Sequence, residues 1–138
     1  MRKLFYLIVV AVSFGISASF ISCSSFKRGP DAADIAANVA KKYYDYLLAG
    51  RYDLFVRGTL LPDTIPASYR EQLETNAKMF IATQQDERKG IKSVEIADSK
   101  ADTARHSANV FLIFNYGDKT KEQVLVPMTE YRGVWYMR

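Results

Sequence analysis

Two residue types that carry much of protein chemistry are nearly missing from this sequence: one cysteine, Cys23, and one histidine, His106, in 138 residues. A zinc site commonly draws several ligands from these two types, so a His/Cys metal centre is excluded and only an all-carboxylate site stays open. A Ser/His/acid triad needs a histidine base beside its nucleophile. His106 follows Arg105 in a polar stretch where solvent exposure is expected, and no serine sits in a G-x-S-x-G turn. The seven glycines do not cluster ahead of a helix, which sets aside a glycine-rich phosphate loop. No metal and no other cofactor is expected.

An excess of one charge is also lacking. The formal net charge is +4, from 19 basic and 15 acidic residues. Residues 1–22 hold two of the basic residues and none of the acidic ones, so the 116 residues after them carry only +2. A nucleic-acid surface would show a strongly basic face. Here Arg51, Arg57, Lys78, Arg88 and Lys89 are interleaved with Asp53, Glu71, Glu74, Asp86 and Glu87. That is a mixed, solvated surface, and no nucleic-acid partner is expected.

Charge disappears altogether between Leu4 and Ile21, directly after Arg2 and Lys3, which is the layout of a secretory signal. The run ends in Phe20, Ile21, Ser22 and Cys23. This resembles the lipobox of bacterial lipoproteins, with a bulky residue three back and a small one directly before the cysteine. Phe20 stands where the family prefers leucine and Ile21 where it prefers a small residue, a form similar to lipoproteins of the Bacteroides group. The resemblance implies cleavage before Cys23, acylation of its thiol, and attachment to a membrane through that N-terminal lipid. Two other readings stay open: an uncleaved anchor, since Leu4 to Ser22 approaches the roughly 20 residues that span a bilayer, and ordinary cleavage near Ala18. With Cys23 acylated, no thiol is left for a disulfide.

Residues 23–31 read as a tether, with Gly29 and Pro30 as breakers. Lys27 and Arg28 suit anionic headgroups, worth about 1 kcal/mol each near such a surface, or a plain solvated linker. The Bacteroides-group lipoproteins that reach the cell exterior often carry acidic residues straight after the cysteine. Their absence here points to a periplasm-facing anchor in the cell envelope.

From residue 32 to 138 the pattern is that of an α+β domain. Asp31 is placed to cap a first helix whose apolar positions are Ile35, Val39, Tyr43, Tyr46 and Leu47, with Gly50 as its left-handed terminator. A short helix over 52–56 brings Leu54 and Phe55 near the first. Residues 60–66, with two prolines, read as a loop. Ser68 and Glu71 have capping-box spacing and open a third helix to about Arg88, with Leu73, Ala77, Phe80 and Gln84 in line and Gly90 beyond its end.

The period then changes to two. Strands are expected over 93–97, 105–116, 121–129 and 134–137, with a turn at Gly117-Asp118. The second of them places Ala108, Val110, Leu112, Phe114 and Tyr116 on one face and Phe111 and Ile113 on the other, which marks an interior strand. Pro127 has no N–H for a ladder and implies a sheet edge or a bulge.

This order, with Ala49-Gly50-Arg51-Tyr52-Asp53 after the first helix and Gly133-Val134-Trp135-Tyr136-Met137 at the end, resembles the nuclear transport factor 2-like superfamily. Small bacterial lipoproteins within it look most similar, and the cystatin-like fold is a neighbour with the same pattern. The resemblance covers about residues 32–138. It implies three helices packed on a curved four-strand antiparallel meander, cone-shaped, with an apolar cleft used for binding, dimerisation or catalysis. By position, Tyr43, Leu47, Phe55, Phe80, Trp135 and Met137 are expected to line that cleft or simply to form the core.

The leading functional expectation is a lipid-anchored, non-catalytic domain that binds a protein partner or a small apolar ligand. One alternative is a cleft enzyme of the isomerase or dehydratase type, in which an Asp or His works opposite a Tyr. Asp45, between Tyr44 and Tyr46, is the carboxylate to weigh for it. The other is a structural homodimer formed through the sheet face.

Overall fold

The structure, a computed structural model, describes residues 31–138. The signal segment, Cys23 and the tether up to Pro30 lie outside the described residues. Three helices come first: α1 (Ala32–Leu48), α2 (Tyr52–Arg57) and α3 (Ala67–Arg88). Four strands follow: β1 (Ile91–Asp102), β2 (Ser107–Tyr116), β3 (Lys121–Tyr131) and β4 (Val134–Met137). They pair antiparallel in sequence order, β1-β2-β3-β4, giving the α+β meander that the period change implied.

At the start of α1 the Asp31 carboxylate accepts the Asp34 N–H at 2.8 Å, satisfying one of the orphan donors of the first turn. At its end the Gly50 N–H donates to the Leu47 carbonyl and the Arg51 N–H to the Tyr46 carbonyl, at 3.2 and 2.9 Å. With Gly50 at φ +77°, this is a Schellman closure.

The buried face of α1 is rotated from the expected stripe. Ile35 is 41% exposed, and the buried positions are Ala36, Ala37, Ala40 and Leu47. Alanine has nothing beyond Cβ to hold the helix off the sheet, so this face approaches β1 and β2 closely while larger neighbours spread along the rims.

The expected capping box does not form. Pro66 is the residue before α3, Ser68 lies inside the first turn, and no side chain caps the helix. Of the 22 residues of α3 only Ala77 is buried. Phe80 and Met79 are exposed, so this helix stands off the sheet and α1 instead of sealing against them. Its far end turns at Lys89 and Gly90, both at positive φ, and the Gly90 N–H donates to the Gln84 carbonyl at 2.9 Å.

The core lies on the concave side of the sheet. Ala108, Val110, Leu112, Phe114 and Tyr116 of β2 are all buried and meet Val94 of β1 and Val126 and Met128 of β3. The first strand is longer than its period-two segment suggested, because β2 offers a ladder from Tyr116 to Ser107 for it to follow. Register shifts between Ile91 and Ser93 and between Ile96 and Asp98 bend it, as bulges do. Arg105 and His106 belong to the turn before β2, with His106 at φ +50°.

Pro127 stands opposite Asn109 in β3, one residue past the last β3–β4 pair, Met128 with Met137. Its missing N–H therefore falls where the fourth strand stops. The outer side of β4 is covered in turn by the segment after α2. Met137 donates to the Gly58 carbonyl at 2.7 Å and accepts from the Leu60 N–H at 2.9 Å, which leaves less edge open for pairing with another chain.

Candidate functional site

Because α3 stands away from the sheet, a cleft of about 420 Å³ remains between the helices and the concave face. That size lies within the usual range for small-molecule sites, roughly 300–1,000 Å³. Tyr44 and Leu47 of α1, Phe55 of α2 and Ala77 and Phe80 of α3 form the helical walls. Phe114 and Val124 form the floor. The Tyr44 ring meets Phe55 edge-on at 5.4 Å and leans on Phe114 at 5.3 Å. Phe114 in turn sits 6.4 Å from Tyr116, also edge-on. Such aromatic contacts fix ring orientations more firmly than aliphatic packing does.

One end of the cleft is polar. The Tyr116 hydroxyl donates to Glu122 Oε2 at 2.6 Å, and an Arg88 guanidinium nitrogen lies 3.3 Å from the same oxygen. The Arg88 guanidinium also sits 4.6 Å from the centre of the Tyr116 ring, within cation–π range. Gln84 lines the cleft beside this group. Arg88 and Glu122 are both substantially exposed, so their ion pair contributes little stability and serves chiefly to set direction.

The local fold explains the convergence. The β2–β3 turn ties back to the end of α3: Gly117 donates to the Gly90 carbonyl at 2.8 Å and Asp118 to the Arg88 carbonyl at 3.1 Å. A side chain at Gly117 would overlap the Lys89 carbonyl oxygen, so only glycine permits this approach. The tie holds Arg88 above Tyr116, and the β-ladder places Glu122 on the same inner face.

Burial pushes the Tyr116 phenol up to about 12, assisted by its hydrogen bond to Glu122 and by that carboxylate's charge, with Arg88 pulling the other way. Burial likewise raises Tyr44, and it raises Tyr43 with help from Tyr136 and Tyr46. Between the ordinary value of 10.0 and about 12 the folded protein holds a proton on Tyr116 that the unfolded chain has lost. The corresponding stability is complete below the unfolded value and is lost as pH rises through the folded one. Thermal midpoints should therefore fall between about pH 10 and 12, and fall less steeply for Tyr116→Phe. Parallel curves for the two proteins would rule out this origin.

The six residues expected to share a cleft occupy three places. Leu47, Phe55 and Phe80 line it. Tyr43 and Trp135 instead face a shallow groove along the other side of α1, with Ile35 and Val134, where the Tyr43 hydroxyl donates to the Trp135 carbonyl at 2.8 Å. Met137 is buried in the core and tied through its backbone to Gly58 and Leu60. The division follows from the rotation of α1: successive residues Tyr43 and Tyr44 point about 100° apart on a helix, so one enters each depression.

Two residues that shape the polar end, Tyr116 and Glu122, were not singled out as a site by sequence reasoning. A signal existed for Glu122. It is the charged member of the inward series Glu122, Val124, Val126, Met128, a carboxylate at a core-facing position of an alternating strand. Asp45 pairs with Lys41 at 2.7 Å on the exposed side of α1 and takes no part in the cleft. His106 is exposed in its turn, 3.9 Å from Glu130. Among the described residues no cluster of three His, Cys, Asp or Glu side chains is placed to hold a metal ion, and no helix is long and apolar enough to cross a membrane.

No family model matches the chain, and no curated protein matches it. Among solved structures it is similar to a candidate nuclear transport factor 2-like transpeptidase from Campylobacter jejuni, at 12% identity and a TM-score of 0.58, over 72% of this chain and 94% of that one. A protein from Rhodopseudomonas palustris containing a SEC-C motif matches at 15% identity and a TM-score of 0.48, over 74% of this chain and 76% of that one. The first likeness places the fold in the nuclear transport factor 2-like class. At such identity it shows the fold alone.

Proposed function

We propose that this is a lipid-anchored protein of the bacterial cell envelope whose cleft binds a small, mostly apolar ligand without chemical conversion. The observation that carries the reading is the composition of the cleft: an aromatic and aliphatic wall of about 420 Å³ with its polar groups gathered at one end. That is the usual make-up of a ligand pocket, where burial supplies affinity and a few polar groups fix orientation. The Cys23 lipobox supports the anchor, and the absence of acidic residues straight after it supports the periplasm-facing orientation.

A transpeptidase activity, named for the Campylobacter jejuni neighbour, would need an activated nucleophile. The residues lining this cleft include no serine, cysteine, threonine or lysine. Tyr116, with its phenol pushed up to about 12, is a hydrogen-bond donor at neutral pH. The competing reading, an isomerase-like cleft enzyme, is favoured by one contact only, the 2.6 Å hydrogen bond from Tyr116 to Glu122.

The test is titration with the neutral fluorophore N-phenyl-1-naphthylamine, in the native protein and in Ala77→Trp, which fills the cleft from α3. Saturable binding that weakens at least about tenfold in the variant is expected, since much of the apolar contact area is lost. Equal binding by the two proteins would remove the cleft from consideration. For Glu122→Gln the binding reading expects affinity for this neutral probe within about twofold. The anchor is tested separately: Cys23→Ala should abolish acylation, and persistence of acylation would overturn the lipoprotein assignment.

A further inference from the structure

We propose that the segment between α2 and α3 forms, against β3 and β4, a second binding site that takes the acid group of an anionic amphiphile. The site is a cavity of about 200 Å³ and shares no lining residue with the aromatic cleft. Arg57 at the end of α2 and Arg70 in the first turn of α3 both reach its wall. Neither has a carboxylate within ion-pair distance among the described residues.

Three hydroxyl groups, those of Thr59, Tyr131 and Tyr136, line the same cavity. None of the three is hydrogen-bonded to another group of the protein among the described residues. Asp63 is the one carboxylate on the wall, so a single positive charge is left over. Two guanidinium forks with hydroxyl donors beside them match the lone pairs of a phosphate or carboxylate group. Pro62 and Pro66 restrict the backbone of the intervening loop, so less order must be imposed when a ligand arrives.

The amphiphile follows from what adjoins the cavity. Leu60, Leu61, Pro62 and Tyr131, with Asp63 as the one charged member, also line an open groove of about 400 Å³. Leu60 is 40% exposed and Tyr131 49%. A free oxyanion would fill the cavity and leave this apolar strip wet. A molecule with an acid group and a hydrocarbon part covers both.

The test uses the full-length protein and calorimetric titration with three probes: dihexanoyl phosphatidic acid below its micellar concentration, dihexanoyl phosphatidylcholine, and inorganic phosphate. Phosphatidic acid is expected to bind saturably and at least about tenfold more tightly than either of the others. Arg57→Gln and Arg70→Gln should each weaken it about tenfold, with thermal midpoints as in the native protein. Arg57→Lys and Arg70→Lys, which keep the charge and lose the fork, should fall between. Equal affinity for inorganic phosphate would make this a free oxyanion site and overturn the proposal. Equal affinity for phosphatidylcholine, or unchanged affinity in both glutamine variants, would overturn it as well. Loss of phosphatidic acid binding in Ala77→Trp would move the ligand to the aromatic cleft, with the same consequence.

Discussion

Leu112→Ala is expected to lower the stability of the fold by about 2–5 kcal/mol, the range for emptying a fully enclosed leucine site. Leu112 is 0% exposed in the middle of β2, opposite Ile96 of β1 and Val124 of β3, with the alanine face of α1 above. β2 is paired on both sides over nearly its whole length, so its backbone cannot move inward to close the cavity without disturbing two ladders. Urea denaturation measures the change directly. The control is Leu125→Ala on the convex face, 49% exposed, where the loss should stay within about 0.5 kcal/mol. Similar losses at the two positions would mean that the convex face is covered in solution.

The second large effect comes from adding atoms. Ala40→Leu should destabilise by about 1–3 kcal/mol, because three extra carbons enter a surface where α1 already touches the sheet. Ala40 is 0% exposed, whereas Ile35, on the neighbouring flank, is 41% exposed. Ile35→Ala should therefore change stability by no more than about 0.5 kcal/mol. Hydrophobicity alone orders the two positions the other way, so the pair of variants separates the observed rotation of α1 from the one its apolar stripe suggests. A costly Ile35→Ala beside a harmless Ala40→Leu would place the helix in the other orientation.

These cases show where the sequence was legible. In β2 the alternation has a period of two, so each residue has one of two faces and a single apolar series decides which is inside. Val110, Leu112 and Phe114 could be read from spacing, and all three are buried. In α1 the apolar residues occupy more than one side, and a rotation of one position exchanges Tyr43 for Tyr44 at the cleft. Spacing cannot choose between those rotations. Small residues usually carry little weight in such a reading, yet Ala36, Ala37 and Ala40 set how near the helix comes to the sheet.

The polar end of the cleft was harder still to foresee. Tyr116 and Glu122 are six residues apart across a hairpin, but Arg88 joins them from a different element, 34 positions before Glu122. The contact depends on the tie from Gly117 and Asp118 to the end of α3. Nothing in local pattern marks that tie, because a turn glycine reads the same whether its neighbour is water or another segment.

By itself, then, the sequence determined the order of three helices and four strands, the inner face of the central strand, the Asp31 cap and the Gly50 stop. These follow from short-range geometry: side-chain period, cap hydrogen bonds and the conformations glycine and proline allow. Only the tertiary structure decided which side of α1 faces the sheet, that α3 stands off to leave a cleft, and that Arg88, Tyr116 and Glu122 meet at its end. Those outcomes rest on distances between elements, which are set by how side chains of different segments fill a common volume.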